Sequence, residues 1–282
     1  MEYPLSYSMA NGSGIEWTEA TWNPTTGCTK ISPGCKNCYA ETMTRRLKAM
    51  GQQKYKKGFK FIEHPHEINL PLNWHKPKKI FVNSMSDLFH EHASFTFISR
   101  CFWTMINADW HQYQILTKRP SKMAEFSKIF FEYFGHKIPH HIWMGTSIEN
   151  HDYKWRLDEL RRVRCHTRFI SFEPLIGPVG KLNLRGIDWA IIGGESGFRF
   201  RPVEKKWIIE IIKQCKSQKI PVFFKQWGGI RPKSGGRSIN GKIYAEYPEI
   251  PIRKNILKNI DFNEKSFSNL TKQFVQIKPM HH

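Results

Sequence analysis

Acidic residues are scarce in this chain of 282 residues. Asp and Glu number 24 against 44 Lys and Arg, which leaves a net charge of +20. An excess of that size points to a polyanionic partner, nucleic acid before any other. Long apolar runs are missing too: no stretch approaches the roughly 18 uncharged apolar residues of a membrane helix. The first fourteen residues are polar and glycine-containing, without the apolar core of a signal peptide. No membrane partner is therefore expected, and the expected location is the cytoplasm. Gly193-Gly194 is too short for a phosphate loop, and no Gly-x-Gly-x-x-Gly or Walker pattern occurs. No Ser–His–Asp or paired-carboxylate hydrolase arrangement is legible, and the thirteen histidines form no helical pair with a glutamate of the metalloprotease kind. Six cysteines, unevenly spread, are too few for a secreted disulfide scaffold.

What is present suffices for one large core, since 40% of residues are hydrophobic and 14% aromatic. Short, near-continuous apolar runs recur at 80–84, 113–117, 142–147, 168–173, 189–194 and 221–225, the signature of strands buried on both faces of a parallel sheet. Helical periodicity fills 95–108, 121–134, 153–163 and 204–217. With an earlier strand near 20–23, the alternation predicts an α/β fold, a full or partial (β/α) TIM-like barrel. Residues 1–229 are expected to form that barrel, and 230–282 a small basic C-terminal extension with a short strand or hairpin and a helix.

Each apolar run ends in polar or charged residues: Ser84 and Asp87, Lys118 and Arg119, Ser147, Glu149 and Asn150, Ser171 and Glu173, Glu195 and Ser196, Lys225 and Gln226. Barrel active sites are built at those ends. Helix capping by Ser147, Ser171 and Ser196 is the plainer alternative. Lys118, Arg119 and Lys225 suit phosphate. Arg199 and Arg201 alternate with Phe198 and Phe200, a mixture that suits a nucleic-acid groove, where cations hold phosphates and aromatics stack on bases.

Three of the six cysteines fall within eleven residues, Gly27-Cys28-Thr-Lys-Ile-Ser-Pro-Gly-Cys35-Lys-Asn-Cys38. Cys35 and Cys38 have the spacing with which a turn presents two thiolates to one metal. Cys28, Cys35 and Cys38 together would hold three irons of a four-iron cluster and leave the fourth open. A structural zinc is the other candidate; it wants a fourth ligand, for which His64 and His66 are the nearest histidines. Trp22 and Tyr39 flank the motif and are expected to exclude water from it. Cys101, Cys165 and Cys215 read as ordinary buried thiols.

A three-cysteine loop after the first strand of such a barrel, ending Cys-x-x-Cys-Tyr-Ala, resembles the radical S-adenosylmethionine superfamily, with Cys-x6-Cys-x2-Cys in place of the usual Cys-x3-Cys-x2-Cys. The chain resembles more closely an uncharacterised phage and bacterial three-cysteine-motif family. The shared words are Ile15-Glu-Trp-Thr18, Thr21-Trp-Asn-Pro24, Phe81-Val-Asn-Ser-Met-Ser-Asp-Leu-Phe-His90, Leu116-Thr-Lys-Arg-Pro120, Gly145-Thr-Ser-Ile-Glu-Asn150, Ile170-Ser-Phe-Glu-Pro-Leu175, Gly193-Gly-Glu-Ser-Gly197 and Phe224-Lys-Gln-Trp-Gly-Gly229. The family's closing word corresponds to Gly236-Arg237 and Tyr244-Ala-Glu-Tyr-Pro248.

The resemblance implies a barrel of the radical-enzyme type, a 4Fe-4S cluster on the three cysteines, S-adenosyl-L-methionine as cofactor and an electron donor such as flavodoxin or ferredoxin. It makes Ser147, Glu149 and Asn150 candidates for the ribose hydroxyls, and Ser84 and Asp87 for the methionine end, with Glu195 beside them. Glu173 and Glu195 are the candidate catalytic carboxylates. Together with the charge, the expected activity is on nucleic acid, DNA before RNA: repair of a base lesion as by a photoproduct lyase, or modification of a base. The rival is a non-catalytic nucleic-acid-binding protein with a structural zinc in the same loop.

Overall fold

The computed structural model describes residues 15–231, 233–249, 255–258 and 261–276. In chain order its elements are β1 (Ala20–Trp22), β2 (Thr25–Thr26), α1 (Tyr39–Ala49), β3 (Ile62–Glu63), β4 (Lys79–Val82), α2 (Phe95–Asn107), β5 (Gln112–Thr117), α3 (Pro120–Phe134), β6 (Ile138–Ser147), α4 (Arg156–Arg162), β7 (Cys165–Phe172), β8 (Trp189–Gly193), α5 (Lys205–Ser217), β9 (Val222–Gln226), β10 (Ser238–Ile239), β11 (Lys242–Ile243) and α6 (Glu264–Gln276). Seven strands form one sheet in the order β1-β4-β5-β6-β7-β8-β9, every neighbouring pair parallel. The sheet curls into a half-barrel. The expected barrel is thus partial: β1 and β9 are the two ends of the order and do not pair with each other.

Alternation along each strand explains both the continuous apolar runs and the curl. Ile80, Val82, Ile115, Met144, Ile170, Phe172, Ile192 and Phe224 belong to a core shared with helices α2, α3 and α5. The residues between them, Phe81, Leu116, Trp143, Phe169, Trp189, Ile191 and Phe223, gather on the other face around Trp17. The Trp17 ring lies 4.8 Å from Phe81 on β4 and 6.1 Å from Trp189 on β8. At about 4.8 Å per strand, β4 and β8 would stand about 19 Å apart in a flat sheet. One indole reaches both only because the sheet bends around it. Gly145 makes room on the same face, since a Cβ there would come within 2.6 Å of the Phe169 ring.

The open edges are managed by the chain that follows β9. Phe224 N–H donates to Tyr244 O (2.9 Å) and Glu246 N–H to Val222 O (3.0 Å), so the closing family word covers the outer edge of β9. Tyr247 stacks on Trp189 with the Lys79 ammonium 4.5 Å from its own ring centre. Arg237 reaches Glu16 (3.2 Å), just ahead of β1. These contacts span the seam that hydrogen bonds between strands leave open.

The expected helices are present, the third shortened to Arg156–Arg162 behind a 3-10 turn at His151–Tyr153. Strands β6 and β7 begin earlier than their apolar runs, with Ile138 paired to Cys165. Histidines at 140, 141 and 166 interrupt the hydrophobic signal there. Helix α1, unforeseen, begins right after Cys38 with Glu41 in its first turn and Arg46 and Lys48 in its last, as the helix dipole favours. The hairpin is β10 and β11, turning on Asn240-Gly241 with φ of 51° and 77°, the signature of a tight primed turn. The expected hairpin and helix ran over some residues outside the described ones. Phe267 of α6 and Leu257 are buried in the same core as the barrel helices. No described helix is long and apolar enough to cross a membrane.

Trp17→Ala removes the side chain around which the sheet curls, and a buried Trp or Phe lost this way costs about 3–5 kcal/mol. Glu16→Gln, which weakens only the partly exposed seam pair, should cost about 1 kcal/mol or less. Urea denaturation of both variants checks the ranking.

Candidate functional site

The cysteine loop lies across the C-terminal ends of the strands and is tied down at three places. At its start, Gly27 N–H donates to Met85 O (3.0 Å), Ser86 Oγ donates to Gly27 O (2.6 Å) and Cys28 N–H donates to Phe59 O (3.2 Å). Arg119, just past β5, inserts its guanidinium here. Its Nη1 contacts Cys28 Sγ (3.5 Å) and Asp87 (3.2 Å), its Nη2 donates to Thr29 Oγ1 (2.7 Å) and its Nε to Glu91 (2.7 Å). Asp87 orients it while accepting from Thr117 Oγ1 (2.7 Å) and from the N–H groups of Phe89 and Lys118.

The middle of the loop, a 3-10 turn over Pro33–Cys35, is seated on Glu149. This carboxylate has 0% exposure. It accepts from Ser32 Oγ (2.6 Å) and from Arg156 Nη1 (2.9 Å), and Lys118 Nζ lies 3.5 Å away. Gly34 is required where it stands: a Cβ would meet the Glu149 side chain at 2.4 Å. Arg156 is 1% exposed and also donates to Ser147 O (3.0 Å).

The end of the loop is held by Glu195, past β8. Asn37 Nδ2 donates to Glu195 Oε2 (2.9 Å) and to Arg199 O (2.8 Å), while Arg201 donates to the same carboxylate from N, Nε and Nη2. Two glycines bring the ends of β8 and β9 together below it. A Cβ on Gly194 would fall 2.0 Å from Trp227 O, and one on Gly228, whose φ is +87°, 2.1 Å from Glu195 O. That is the role of the Gly-Gly word that carries no phosphate loop.

Burial acts on the Cys28 and Cys38 thiols of the loop. It pushes the Cys28 thiol up to about 12, with Asp87 adding to the rise and Arg119 opposing it. Cys38 is also raised by burial, against the N–H groups of Glu41 and Ala40 at the start of α1 and against Lys118. Among the described residues no three His, Cys, Asp or Glu side chains converge into a ready-made metal site. His64 is engaged with Thr26 Oγ1 (2.8 Å) and His66 is exposed beside Glu67. Cys101, Cys165 and Cys215 are buried.

The residues singled out at the strand ends divide into groups. Ser147 is the last residue of β6, Ser171 pairs with it inside β7, and Ser196 bridges to Gly229, so none of them caps a helix. Ser84 donates to Asn23 Oδ1 (3.2 Å). Asp87, Glu149 and Glu195 hold the loop. Glu173 is paired with Lys225 over Gly193. Of the expected nucleic-acid contacts, Lys118, Arg119, Arg201 and Lys225 are turned onto carboxylates of the mouth, and Arg199 is exposed. Trp22 is buried in the core shared with the helices, whereas Tyr39 is 59% exposed and shields nothing. Asn150 Oδ1, Ser171 Oγ and both amide atoms of Gln114 are buried without a protein partner. Ser32, Gly34, Asn37 and Arg156 were not foreseen. Ser32, Gly34 and Asn37 meet partners more than a hundred positions away, which no periodicity marks, and Arg156, near its partners in sequence, carries no local sign of its burial.

Glu149→Ala leaves Arg156 as an uncompensated buried charge, which should cost about 3–5 kcal/mol in chemical denaturation and speed proteolysis within 28–38. Burial would raise the Glu195 carboxyl, but hydrogen bonds from Arg201 and Asn37 outweigh it and hold the group below its ordinary 4.5. A depressed carboxyl contributes stability that is full above the unfolded value and is lost as pH falls through the folded one. The stability gap between the wild type and Glu195→Gln should therefore be widest near neutrality and shrink below about pH 4.

No curated protein and no solved structure matches this chain. A family match extends over residues 12–248, from before the first strand through the cysteine loop to the segment that covers β9. The chain belongs to the family described as Protein of unknown function (DUF5131).

Proposed function

We propose that this chain is a radical S-adenosylmethionine enzyme acting on nucleic acid, with a 4Fe-4S cluster held by Cys28, Cys35 and Cys38. One observation carries the reading: a loop with three cysteines is clasped across the C-terminal strand ends of a partial β/α barrel, the end at which such barrels carry their chemistry. The donor set suits the cluster in kind. Three half-buried cysteines share one loop, and the Arg119 guanidinium and the start of α1 supply positive charge and N–H groups beside two of them. A bound cation would bring the buried thiols down to thiolates. The fold then belongs to the radical-enzyme type of partial barrel.

When bound, the cluster and S-adenosylmethionine supply one-electron reductive chemistry ending in removal of a hydrogen atom from the substrate, fed by a donor such as flavodoxin or ferredoxin. The protein's part is to bind, orient and exclude water. Asn150 Oδ1 and Ser171 Oγ, two of the buried oxygens with no protein partner, suit the ribose hydroxyls. Glu149, proposed from sequence for the same task, acts instead through Ser32 and Gly34 on the loop. Glu173, half-buried at the mouth and paired with Lys225, is the carboxylate best able to meet a substrate. Ser84, Asp87 and Glu195 support the site from behind by their hydrogen bonds.

The net charge of +20 favours a polyanionic substrate. A base within a duplex is inaccessible, so the target is flipped out or single-stranded. Lesion repair of the photoproduct-lyase kind and base modification both fit.

Anaerobic analysis of reconstituted protein tests the class. About four irons per chain with matching sulfide, a spectrum altered by S-adenosylmethionine, and loss of both in Cys35→Ala are the expected results. Stoichiometric zinc that resists replacement, with no response to S-adenosylmethionine, would sink the proposal and leave a zinc-stabilised binding protein.

A further inference from the structure

Phe198 is 87% exposed, the most exposed large hydrophobic among the described residues. Its backbone is nevertheless firmly held. Phe200 N–H donates to Gly197 O (3.0 Å), which closes a four-residue turn with Phe198 and Arg199 at its two central positions. Gly197 N–H donates to Gly229 O (2.9 Å), and Arg201, on the far side of the turn, is hydrogen-bonded to Glu195 through its backbone and side chain. Arg199 O accepts from Asn37, one residue before Cys38. The turn is therefore a fixed projection that carries an aromatic ring and a guanidinium at its tip, attached directly to the cysteine loop. The Arg199 side chain is exposed and makes no ion pair among the described residues, whereas the other four cations expected to bind nucleic acid face carboxylates.

We infer that Phe198 is a stacking platform for an unpaired nucleobase, with Arg199 on the adjoining phosphate, so that the turn delivers a base of a polynucleotide to the mouth beside the cysteine loop. The inference rests on the nucleic-acid reading of that mouth and adds the subsite. An apolar ring in water gains from a flat partner, and a base offers one whatever its identity. A neighbouring unpaired cation on a chain of net charge +20 selects a partner whose flat groups are strung on phosphates. Only a base that has left its stack can lie on a ring at the tip of a turn, so single strands or flipped bases are the ligands.

The test uses the full chain with a single-stranded oligonucleotide carrying one 2-aminopurine, read by fluorescence and by affinity across a salt series. The wild type should quench the probe. Phe198→Ala should lose the quenching and bind about 5-fold or more weakly, with an unchanged salt slope. Phe198→Trp should restore both. Arg199→Ala should instead reduce the salt slope by about one. Thermal melts of Phe198→Ala should match the wild type, since the ring packs on little. Binding and quenching by Phe198→Ala equal to the wild type would overturn the stacking site and leave the nucleic-acid reading standing. No binding to single- or double-stranded oligonucleotides even at low salt would overturn that reading and the site with it.

Discussion

A parallel sheet of seven strands that stops short of closure depends on something other than hydrogen bonds to hold its curvature. Here it is an aromatic filling. Trp17 lies against Phe81, Phe169 and Trp189, rings that come from three strands of the sheet. The segment preceding β1 meets the segment after β9 through Glu16 and Arg237, and Tyr247 stacks on Trp189. Because the inner aromatics set the bend, the polar residues past each strand end converge on one mouth.

At that mouth the basic residues are occupied. Lys118 and Arg156 face Glu149, Lys225 faces Glu173, Arg201 faces Glu195, and Arg119 faces Asp87 and Glu91. Buried pairs of this kind add little net stability against apolar replacements, but breaking one leaves a charge that nothing solvates. Their consequence is positional: the pairs on Glu149, Glu195 and Arg119 each have a side chain of the cysteine loop as an additional partner, so the loop is located by several directional bonds at once. The positive charge available to a polyanion lies on exposed side chains such as Arg199. Net charge and local charge thus do different work in this protein.

Strand and helix order, the partial-barrel class and the three-cysteine word were legible from the sequence because they rest on local patterns: continuous apolar runs where both faces are buried, 3.6-residue periodicity on the helices, and thiol spacing on a turn. A short strand or hairpin was expected within 239–251; the hairpin found pairs Ser238–Ile239 with Lys242–Ile243, and its Asn240-Gly241 turn had not been singled out. Helix α1 was not read, since Tyr39–Ala49 is short and its apolar side packs only on a small cluster with Tyr55 and Met85. What the tertiary structure alone decided is how the polar strand ends are used. Ser32 meets Glu149 across 117 positions and Asn37 meets Glu195 across 158. Ion pairs and hydrogen bonds act through space at a few ångströms, and no pattern along the chain records which acid lies beside which base. All but one of the cations expected to face a ligand therefore proved to face carboxylates, while Phe198, read in the sequence alongside Phe200, was told apart from it only by its exposure.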